Sequence, residues 1–405
     1  MDVGNQIRER RQALGLSQEE LAQRLYVSRV TVSHWETGRT LPDVQSMLLI
    51  ANLFGTTIDE LVRGDVDEMR EMVLPALATC RSEGWMAPAD DDGLPPLQRA
   101  GKLHYVCYDA AKFDRLGEDG AAATFRGAVV ISHGFTEFAA KYAEMVWYFL
   151  LAGYSVCVFE HRGHGYSARD VDNSSLVWID DWRRYVADLA KFAETVGKDY
   201  ADGRPLNLYC HSMGGGIGAS VLETHPTLFD KAVLSCPMIA PVTGMPNWLA
   251  SVLAGAMCRL GLGRHMVFGQ SEFTSELDMA DYEGASEARV RWFQQQRIDD
   301  PHQRTYAATF AWVRQALRLS RAVQRPEACD NVETPVLLFQ AGRDVWVLNE
   351  PQNRFAQEVN SDGGNVRVVR IENSLHEIFS MPNAVLGPYL ERILGFFGSS
   401  EMPTF

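Results

Sequence analysis

The sequence of 405 residues predicts an α/β protein, with a doubly wound, mostly parallel sheet that carries helices on both faces and a small all-α module before it. Three observations lead to this fold class. From about residue 99 onwards, short β-branched and apolar runs alternate with helical patterns, which is typical of a buried parallel sheet. Residues 1–64 show helical patterns without strand-like alternation. The interval 242–325 lacks clear strands, which indicates a helical insertion.

The amino-terminal module, residues 1–66, is predicted to consist of short helices separated by tight turns. Ser17 begins the pattern S-x-x-E, in which the serine hydroxyl and the Glu20 carboxylate cap free N–H groups at the start of a helix. Residues 1–64 contain seven basic and eight acidic side chains, a net charge of −1. Non-specific affinity for DNA should therefore be low.

Residues 67–98 are predicted to be a linker. The stretch WMAPADDDGLPPL is rich in acidic residues and proline, a composition that favours an extended connection. Between residues 65 and 94 there are eight acidic and two basic side chains, a net charge of −6. Such a segment should extend and stay away from DNA. A helical pattern at its beginning is interrupted by Pro75.

The α/β part, residues 99–398, contains a series of strand-like runs. In order along the chain they are KLHYVCY, GAVVISHGF, YSVCVFE, LNLYCHS, KAVLSCPM, PVLLFQAG and VRVVRIE. Helical patterns such as YAEMVWYFLLAG and DWRRYVADLAKFAETVGK lie between them. Because strands alternate with helices, most strands should run parallel, and their carboxyl ends should meet at one edge of the sheet.

Composition excludes several classes of protein. The net charge of −14 disfavours a protein built throughout to bind nucleic acid. Seven scattered cysteines without a C-x-x-C pair suggest neither a disulfide framework nor a zinc ribbon. The amino terminus lacks the apolar core of a signal peptide, and no apolar run approaches the roughly 18–20 residues that span a bilayer. We therefore expect a cytoplasmic protein with free thiols.

A candidate nucleophile lies where a predicted strand turns into a helix. The segment CHSMGGG follows the apolar run LNLYC, and it places Ser212 among small residues. This pattern is close to the nucleophile elbow G-x-S-x-G, whose sharp turn leaves no room for bulky neighbours. The first small position holds Cys210 instead of glycine. The alternative interpretation is a glycine-rich strand–helix turn without chemistry.

Two further residues complete a candidate catalytic triad. A serine hydroxyl needs a histidine base, and the base needs an acid that fixes its tautomer. Asp344 follows the run PVLLFQ and His376 follows VRVVRI, so both lie at carboxyl ends of strands, in the chain order serine, acid, histidine. Taken alone, Asp344 is explained as a turn residue and His376 as a surface histidine. Their joint placement favours the triad.

The oxyanion of a tetrahedral intermediate needs preorganised N–H donors. We assign one donor to Met213, directly after the nucleophile, and the other to Phe135, in the loop after GAVVIS. His133 is expected to hold this loop rather than to take part in catalysis. His161 and His164 suggest a metal site, but no carboxylate or cysteine set completes it. We predict neither a metal nor a cofactor.

These segments resemble a known family. HGFTEFAAKY, EHRGHGYS, HSMGGG, LSCPM, AGRDVWV and SLHEIF occur in the order and spacing of α/β-hydrolases similar to bacterial lysophospholipases and monoacylglycerol lipases, of the serine aminopeptidase type. The resemblance covers three quarters of the chain and implies an α/β-hydrolase fold whose helical cap is the insertion at 242–325. It implies Ser212 as nucleophile, His376 as base and Asp344 as the acid that orients it. Glu160 departs from the aspartate usual in the family, and we expect its role to be structural.

The segment LSQEELAQRLYVSRVTVSHWETGRTLP resembles the helix-turn-helix of Cro/CI-type (XRE) regulators, over about residues 4–63. The resemblance implies a first helix Gln18–Leu25 and a second helix Ser28–Glu36, which enters the major groove of DNA. Val32 and Trp35 would then face the small core. The residues expected to contact DNA are Gln18, Arg29, Val30, Thr31, Ser33 and His34. Of these, Gln18 and Thr31 either bind phosphate or brace the module, and a module that binds only protein is the alternative.

The leading hypothesis is a serine hydrolase that cleaves carboxylic esters through an acyl-enzyme and is fused to a sequence-specific DNA-binding domain. The apolar cap segment NWLASVLAGAMCRLGLG suits an acyl chain and favours a lysophospholipid or monoacylglycerol substrate. The alternative is a transcriptional regulator whose hydrolase-like domain senses a lipid or ester. A peptide amino terminus or a small ester is a third substrate class.

Two partners beyond the substrate are considered. DNA binding by a module of low charge is expected to need a homodimer. The cap segment WLASVLAG is expected to pack on the protein, with transient contact to a membrane surface as the alternative, although it lacks the lysines of an interfacial helix.

Overall fold

The computed structural model describes residues 3–54, 66–90, 93–94, 96, 99, 101–113 and 124–399. The strands are β1 (Arg81–Met86), β2 (Leu103–Tyr108), β3 (Gly127–Ser132), β4 (Tyr154–Phe159), β5 (Leu176–Val177), β6 (Leu206–His211), β7 (Lys231–Ser235), β8 (Ala307–Ala308), β9 (Val336–Arg343) and β10 (Val366–Leu375).

The helices are α1 (Val3–Ala13), α2 (Gln18–Arg24), α3 (Arg29–Glu36), α4 (Val44–Phe54), α5 (Val66–Cys80), α6 (Ala143–Leu151), α7 (Arg183–Phe192), α8 (Lys198–Ala201), α9 (Met213–Thr224), α10 (Asn247–Arg259), α11 (Glu287–Asp299), α12 (Phe310–Ala322), α13 (Pro326–Cys329), α14 (Asn349–Ser361) and α15 (Asn383–Gly398). Within the described ranges, none of these helices is both long and apolar enough to cross a bilayer.

The main sheet has the strand order β1-β2-β4-β3-β6-β7-β9-β10. From β4 to β10 every neighbouring pair is parallel, whereas β2 pairs with β4, and β1 with β2, in the antiparallel direction at one edge. This arrangement confirms the mostly parallel sheet that the sequence predicts, and every strand-like run of the α/β part contributes a strand to it. The carboxyl ends of β6, β9 and β10 therefore lie at the same edge.

Helices cover both faces of this sheet. Successive side chains of a strand point to opposite faces. On β6, the Tyr209 hydroxyl contacts the Tyr389 hydroxyl of α15 at 2.8 Å, whereas Cys210 lies against Gly218 of α9. A Cβ atom at position 218 would stand 2.5 Å from the Cys210 sulfur, so the glycine in α9 makes room for the cysteine. The unusual cysteine before the candidate nucleophile is thereby accommodated on the core side.

The segment predicted as a linker, residues 67–98, differs from that expectation. α5 continues through Pro75, and β1 extends the sheet by pairing with β2. Gly84 of β1 lies opposite Tyr105, whose ring occupies the space that a side chain at position 84 would need. β1 is an edge strand with mainly exposed, polar residues. Because no residue on either face of β1 is buried, this strand lacks the apolar alternation by which strands are recognised.

The amino-terminal helices α1–α4 contain the predicted helix-turn-helix. Ser17 caps α2 through the predicted capping box with Glu20, and Val32 and Trp35 are buried in the module as expected. The expected boundary of the module at residue 66 adjoins residues 55–65, which lie outside the described part of the chain.

The predicted helical insertion lies between β7 and β9 and contains α10, α11 and α12. It also contains β8, a strand of two residues that pairs with β5 in parallel. The sequence indicates no clear strand in this interval, and a strand of two residues is too short to leave a periodic pattern. The pairing ties the insertion to the loop that follows β4.

Glu223, near the end of α9, is buried, and its Oε1 atom has no hydrogen-bond partner among the described residues. Burial raises the pKa of this carboxyl to about 8, from an ordinary value near 4.5. At low pH Glu223 is protonated in both the folded and the unfolded chain. As the pH rises toward 8, the unfolded chain loses this proton more readily than the folded one, so the free energy of unfolding decreases. Glu223→Gln should increase the free energy of unfolding at pH 7, on the order of 2–4 kcal/mol.

The effect of Glu223→Gln should grow between pH 5 and pH 8, as measured by urea unfolding at both ends of this interval. Glu194→Gln is the matched control, because Glu194 is exposed. An equal stabilisation at pH 5 and pH 8 would contradict the assignment of an unpaired carboxyl in the core.

Candidate active site

Ser212 stands at the sharp turn between β6 and α9. Its backbone has φ 51° and ψ −115°, a strained conformation for a residue with a side chain. Its N–H donates to the Ser235 carbonyl of β7 at 3.0 Å, which fixes the turn on the sheet. A Cβ atom at position 214 would collide with the Ser132 carbonyl, and one at position 215 would stand 2.6 Å from Pro237 Cβ. The glycines after Ser212 are therefore required by close backbone approach.

A continuous chain of hydrogen bonds joins the three residues of the predicted triad. The Ser212 hydroxyl lies 2.8 Å from His376 Nε2, and His376 Nδ1 lies 2.8 Å from Asp344 Oδ2. The other carboxylate oxygen of Asp344 accepts the N–H groups of Trp346 at 2.9 Å and Val347 at 3.0 Å. Asp344 directly follows β9 and His376 directly follows β10, so the sheet edge brings these distant residues together.

The hydrogen bonds of Asp344 determine the protonation of this chain. Burial alone would raise the pKa of Asp344, but the bond from His376 and the two backbone N–H groups outweigh it and bring the pKa below its ordinary value. The Asp344 carboxylate is therefore ionised, and it accepts a hydrogen bond from His376 Nδ1, which carries the ring proton. The lone pair of His376 Nε2 then faces the Ser212 hydroxyl, which is the arrangement of a general base beside a nucleophile.

The two predicted oxyanion donors lie at a helix start and in a fixed loop. Met213 is the first residue of α9, and N–H groups of a first turn have no partner within their helix. The loop residue before Phe135, Gly134, donates its N–H to Glu137 Oε2 at 2.5 Å. Among the described residues, no acceptor is found for the Phe135 N–H. Both N–H groups are thus available for a ligand.

His133 holds this loop. Its Nε2 accepts the N–H of His161 at 3.0 Å, so its proton is on Nδ1, which donates to the Gly134 carbonyl at 2.7 Å. Burial lowers the pKa of His133 and keeps the ring neutral. Beyond the loop, the Phe135 ring packs against the tilted ring of Trp312 of α12, with ring centroids 4.1 Å apart. The cap therefore directly covers the loop that carries Phe135.

Glu137 is the centre of a buried charged network that sequence reasoning missed. Its carboxylate accepts from Lys141 Nζ at 2.7 Å and from the Tyr142 hydroxyl at 2.5 Å, and it contacts His211 Nδ1 at 3.1 Å. Lys141 Nζ also donates to Glu377 at 2.6 Å. The network thus joins the loop after β3 to the residue before Ser212 and to the residue after His376.

Burial alone would raise the pKa of Glu137, but Lys141 and His211 hold it well below its ordinary value. A buried charge is tolerated only when it is paired in this way. One feature of the sequence could have indicated this ion pair. Glu137 and Lys141 are four residues apart inside HGFTEFAAKY, a segment that is otherwise mainly apolar.

Glu160 has a structural environment, as expected. It accepts the N–H groups of Ala139 at 2.8 Å and Tyr166 at 2.7 Å, and it contacts His104 Nδ1 at 2.8 Å. These contacts fix the loop after β4 against β2. Arg162 of the same loop forms a buried ion pair with an aspartate of α7, Asp188, at 2.8 Å.

The described part of the chain offers one cluster of three metal-binding side chains, Cys236, Asp344 and His376. Asp344 and His376 are already joined to each other by a hydrogen bond. Burial, and then the charge of Asp344, raise the pKa of Cys236 well above its ordinary value, so this residue is a neutral thiol and a poor ligand. The donor set does not fit a resident metal ion.

An exposed apolar rim borders Asp344. Val345 and Trp346 are 69% and 64% exposed, and the Trp346 carbonyl accepts the N–H of Val242 at 2.8 Å. The rim continues along the beginning of the cap, where further exposed apolar residues are Met245, Trp248, Leu249 and Val252. An apolar surface of this kind beside a reactive site suits a ligand with a hydrocarbon part.

The residues predicted to contact DNA lie on two helices of the amino-terminal module. Arg29 and Val30 are exposed at the start of α3, whereas the side chains of Thr31, Ser33 and His34 are half-buried. Gln18 Nε2 donates to Glu36 Oε2 at 2.8 Å, and the same oxygen accepts from Arg11 at 3.0 Å. Of the two roles considered for Gln18, this contact corresponds to bracing α2 against α3.

Two family models match separate parts of this chain. The family model described as "Serine aminopeptidase, S33" matches residues 123–383, and the one described as "Helix-turn-helix" matches residues 7–61. Lysophospholipase L2 of Escherichia coli strain K12 is 29% identical over 282 residues, which cover 68% of this chain and 82% of that protein. The HTH-type transcriptional activator BcrR of Enterococcus faecalis is 40% identical over 65 residues, 16% of this chain and 32% of BcrR.

Among solved structures, a soluble variant of monoglyceride lipase from Saccharomyces cerevisiae, in complex with a substrate analog, aligns with a TM-score of 0.56 at 19% identity. The alignment covers 77% of this chain and 96% of the yeast chain. At this level of identity the likeness establishes the fold alone.

Proposed function

The chain belongs to the serine aminopeptidase S33 family of serine hydrolases, and from this premise we propose that it cleaves carboxylic esters with Ser212, His376 and Asp344 as its catalytic triad. The observation that carries the proposal is the unbroken hydrogen-bond chain from the Ser212 hydroxyl through His376 to Asp344. The strained backbone of Ser212 supports it, because this conformation presents the hydroxyl above the sheet edge.

The proposed reaction has two halves. His376 Nε2 takes the proton of the Ser212 hydroxyl as its oxygen attacks the ester carbonyl, and the N–H groups of Met213 and Phe135 bind the resulting oxyanion. His376 then gives the proton to the departing alcohol, which leaves an acyl-enzyme on Ser212. In the second half His376 removes a proton from water as the water oxygen attacks the acyl carbon. The bond between that carbon and the Ser212 oxygen then breaks, and His376 returns the proton to this oxygen, which releases the acid and restores the serine.

We propose a lysophospholipid or a monoacylglycerol as the substrate. The apolar rim at Val345 and Trp346 supports an acyl chain beside the site. The names of the relatives point the same way, since the bacterial and yeast proteins similar to this chain are a lysophospholipase and a monoglyceride lipase. A peptide amino terminus, which the family name suggests, is the competing substrate class.

The proposal is tested with the full-length protein, a fluorophosphonate probe and a graded series of esters. We expect the probe to label the protein, with the modified peptide containing Ser212. Glycerol esters of acetate, octanoate and palmitate, with palmitoyl-lysophosphatidylcholine, should show a preference for the medium or long chain. A preference for acetate contradicts the lipid assignment, and an unlabelled protein contradicts the hydrolase mechanism.

A second function is favoured by the helix-turn-helix. In this alternative the chain is a transcriptional regulator whose hydrolase-like domain senses a lipid or ester and turns it over slowly or not at all. In either case we propose that α3 reads DNA, as a homodimer on two half-sites. Selection of genomic fragments by the protein should then enrich a sequence with two related halves.

Arg29→Ala should weaken binding to the selected DNA sequence by about 5- to 150-fold and relax specificity at one base pair. Arg29 is exposed at the start of α3, and its guanidinium matches the two acceptors of guanine in the major groove. Fluorescence anisotropy at a fixed salt concentration measures the effect, with Arg354→Ala as a control outside the module. Binding that survives Arg29→Ala together with His34→Ala would contradict reading of the groove.

A further inference from the structure

A cavity of about 570 Å³ lies on the cap, between α10 and α12. Its wall contains five arginines, Arg259, Arg314, Arg318, Arg321 and Arg325. The chain as a whole carries a net charge of −14, so a cluster of five cations around one cavity stands out against the acidic background.

The helical spacing explains how these arginines come together. Arg314, Arg318 and Arg321 are four and three residues apart on α12, which places them on one face of the helix. Arg325 follows just beyond its end, and Arg259 lies in the last turn of α10. No acidic residue lies between these positions on the shared face.

Within the described part of the chain, no carboxylate forms a close ion pair with an arginine of this cluster. Arg321 donates to two neutral oxygens, Ser251 Oγ at 3.0 Å and the Leu317 carbonyl at 3.2 Å. Among the described residues, the four other arginines form no ion pair. The nearby carboxylate of Asp181 is paired with Arg183 at 2.9 Å. The arginines repel one another, and an anion bound between them would lower this electrostatic energy.

The mutual repulsion also acts on Arg318. Partial burial first, and then the charge of Arg314, lower the pKa of its guanidinium, and the negative charge of Asp181 offsets only part of this effect. The lining of the cavity is not purely polar, since Trp182 and Val252 contribute to its wall. The cavity therefore offers several planar guanidinium groups beside an apolar surface.

We propose that this cavity is a binding site for a phosphate-bearing anion, separate from the site at Ser212. A guanidinium group can bind two oxygens of one phosphate with two parallel N–H groups. A cluster of several guanidinium groups can therefore balance more than one negative charge on the ligand. The volume is in the range of small-molecule sites, so the ligand has room for a group beyond a single phosphate. Such a ligand comes either from solution or as the headgroup of an anionic lipid.

The position of the site relates it to the hydrolase. Arg314, Arg318 and Arg321 lie on one face of α12, and Trp312 on another face of the same helix packs against Phe135 of the proposed oxyanion loop. A ligand held by Arg314 and Arg318 therefore binds the helix that covers this loop.

The test uses the full-length protein and two sources of phosphate. Binding of inorganic pyrophosphate is measured by calorimetry, and binding to vesicles of phosphatidylglycerol or of phosphatidylcholine alone by co-sedimentation. The double variant Arg314→Gln/Arg318→Gln should weaken the anion binding about tenfold or more, since it removes two charge-assisted contacts. Arg204→Gln/Arg354→Gln is the matched control, because it removes the same charge from exposed positions elsewhere.

Each outcome decides the proposal. If Arg314→Gln/Arg318→Gln loses the binding of pyrophosphate, the result supports a soluble ligand. If it loses the binding to phosphatidylglycerol vesicles, the result supports a lipid headgroup. The proposal is overturned if the wild-type protein binds neither, if both double variants lose binding equally, or if only binding of duplex DNA depends on the cavity. Equal thermal midpoints show that the variants are folded, and the single exposed substitution Arg318→Gln replaces the double variant if it does not fold.

Discussion

Replacing Ser212 with alanine is expected to lower kcat on the preferred ester by about 10⁶-fold and to abolish labelling by a fluorophosphonate. The substitution removes the oxygen that is proposed to form the acyl-enzyme, whereas His376 and Asp344 keep their hydrogen bond. The residual rate would then come from the N–H donors and from substrate binding alone. Hydrolysis of a chromogenic octanoyl ester and labelling intensity on a gel measure the two effects.

Ser220→Ala is the matched control for this prediction. Ser220 is a buried serine of the same helix, α9, two turns after Ser212, and it has no place in the proposed reaction. The control should label and turn over like the wild-type protein, and both variants should unfold at similar temperatures. Equal labelling of Ser212→Ala and of wild type would remove Ser212 from the mechanism.

The parallel part of the fold could be predicted because its strands are buried on both faces. β3, β4 and β6 are buried along their whole length, and they appear in the sequence as continuous apolar runs. The position of the candidate site follows from the same feature, because residues directly after parallel strands meet at one edge. The sequence therefore places Ser212, Asp344 and His376 near each other before any distance is known.

Other features leave no such pattern. No residue of β1 is buried, so its sequence RSEGWM resembles a polar connection, and only the pairing with β2 identifies the strand. The contacts of Glu137 with His211, and of Lys141 with Glu377, join residues far apart in the sequence. The arginine cluster likewise needs α10 and α12 to lie side by side. Pairings between distant segments are set by tertiary packing, which local patterns do not encode.

Asp344→Asn is expected to lower kcat by about 10⁴-fold while leaving the fold intact. The reason lies in the two backbone N–H groups of Trp346 and Val347, which donate to Asp344 Oδ1. In the variant these donors hold the amide oxygen in the place of Oδ1, so the amide NH₂ group replaces Oδ2 and faces His376 Nδ1. An NH₂ group donates and cannot accept, so Nδ1 must lose its proton and Nε2 must carry one.

With a proton on Nε2, His376 can no longer accept the proton of Ser212, so the loss should fall on kcat and on the rate of fluorophosphonate labelling, with little change in KM. Asp362→Asn, at an exposed position after α14, is the control for an aspartate-to-asparagine change. A loss of less than tenfold would mean that the carboxylate is not needed to set the tautomer of His376. A large loss with an unchanged labelling rate would place the defect after acylation and contradict the role of Asp344 in activating Ser212.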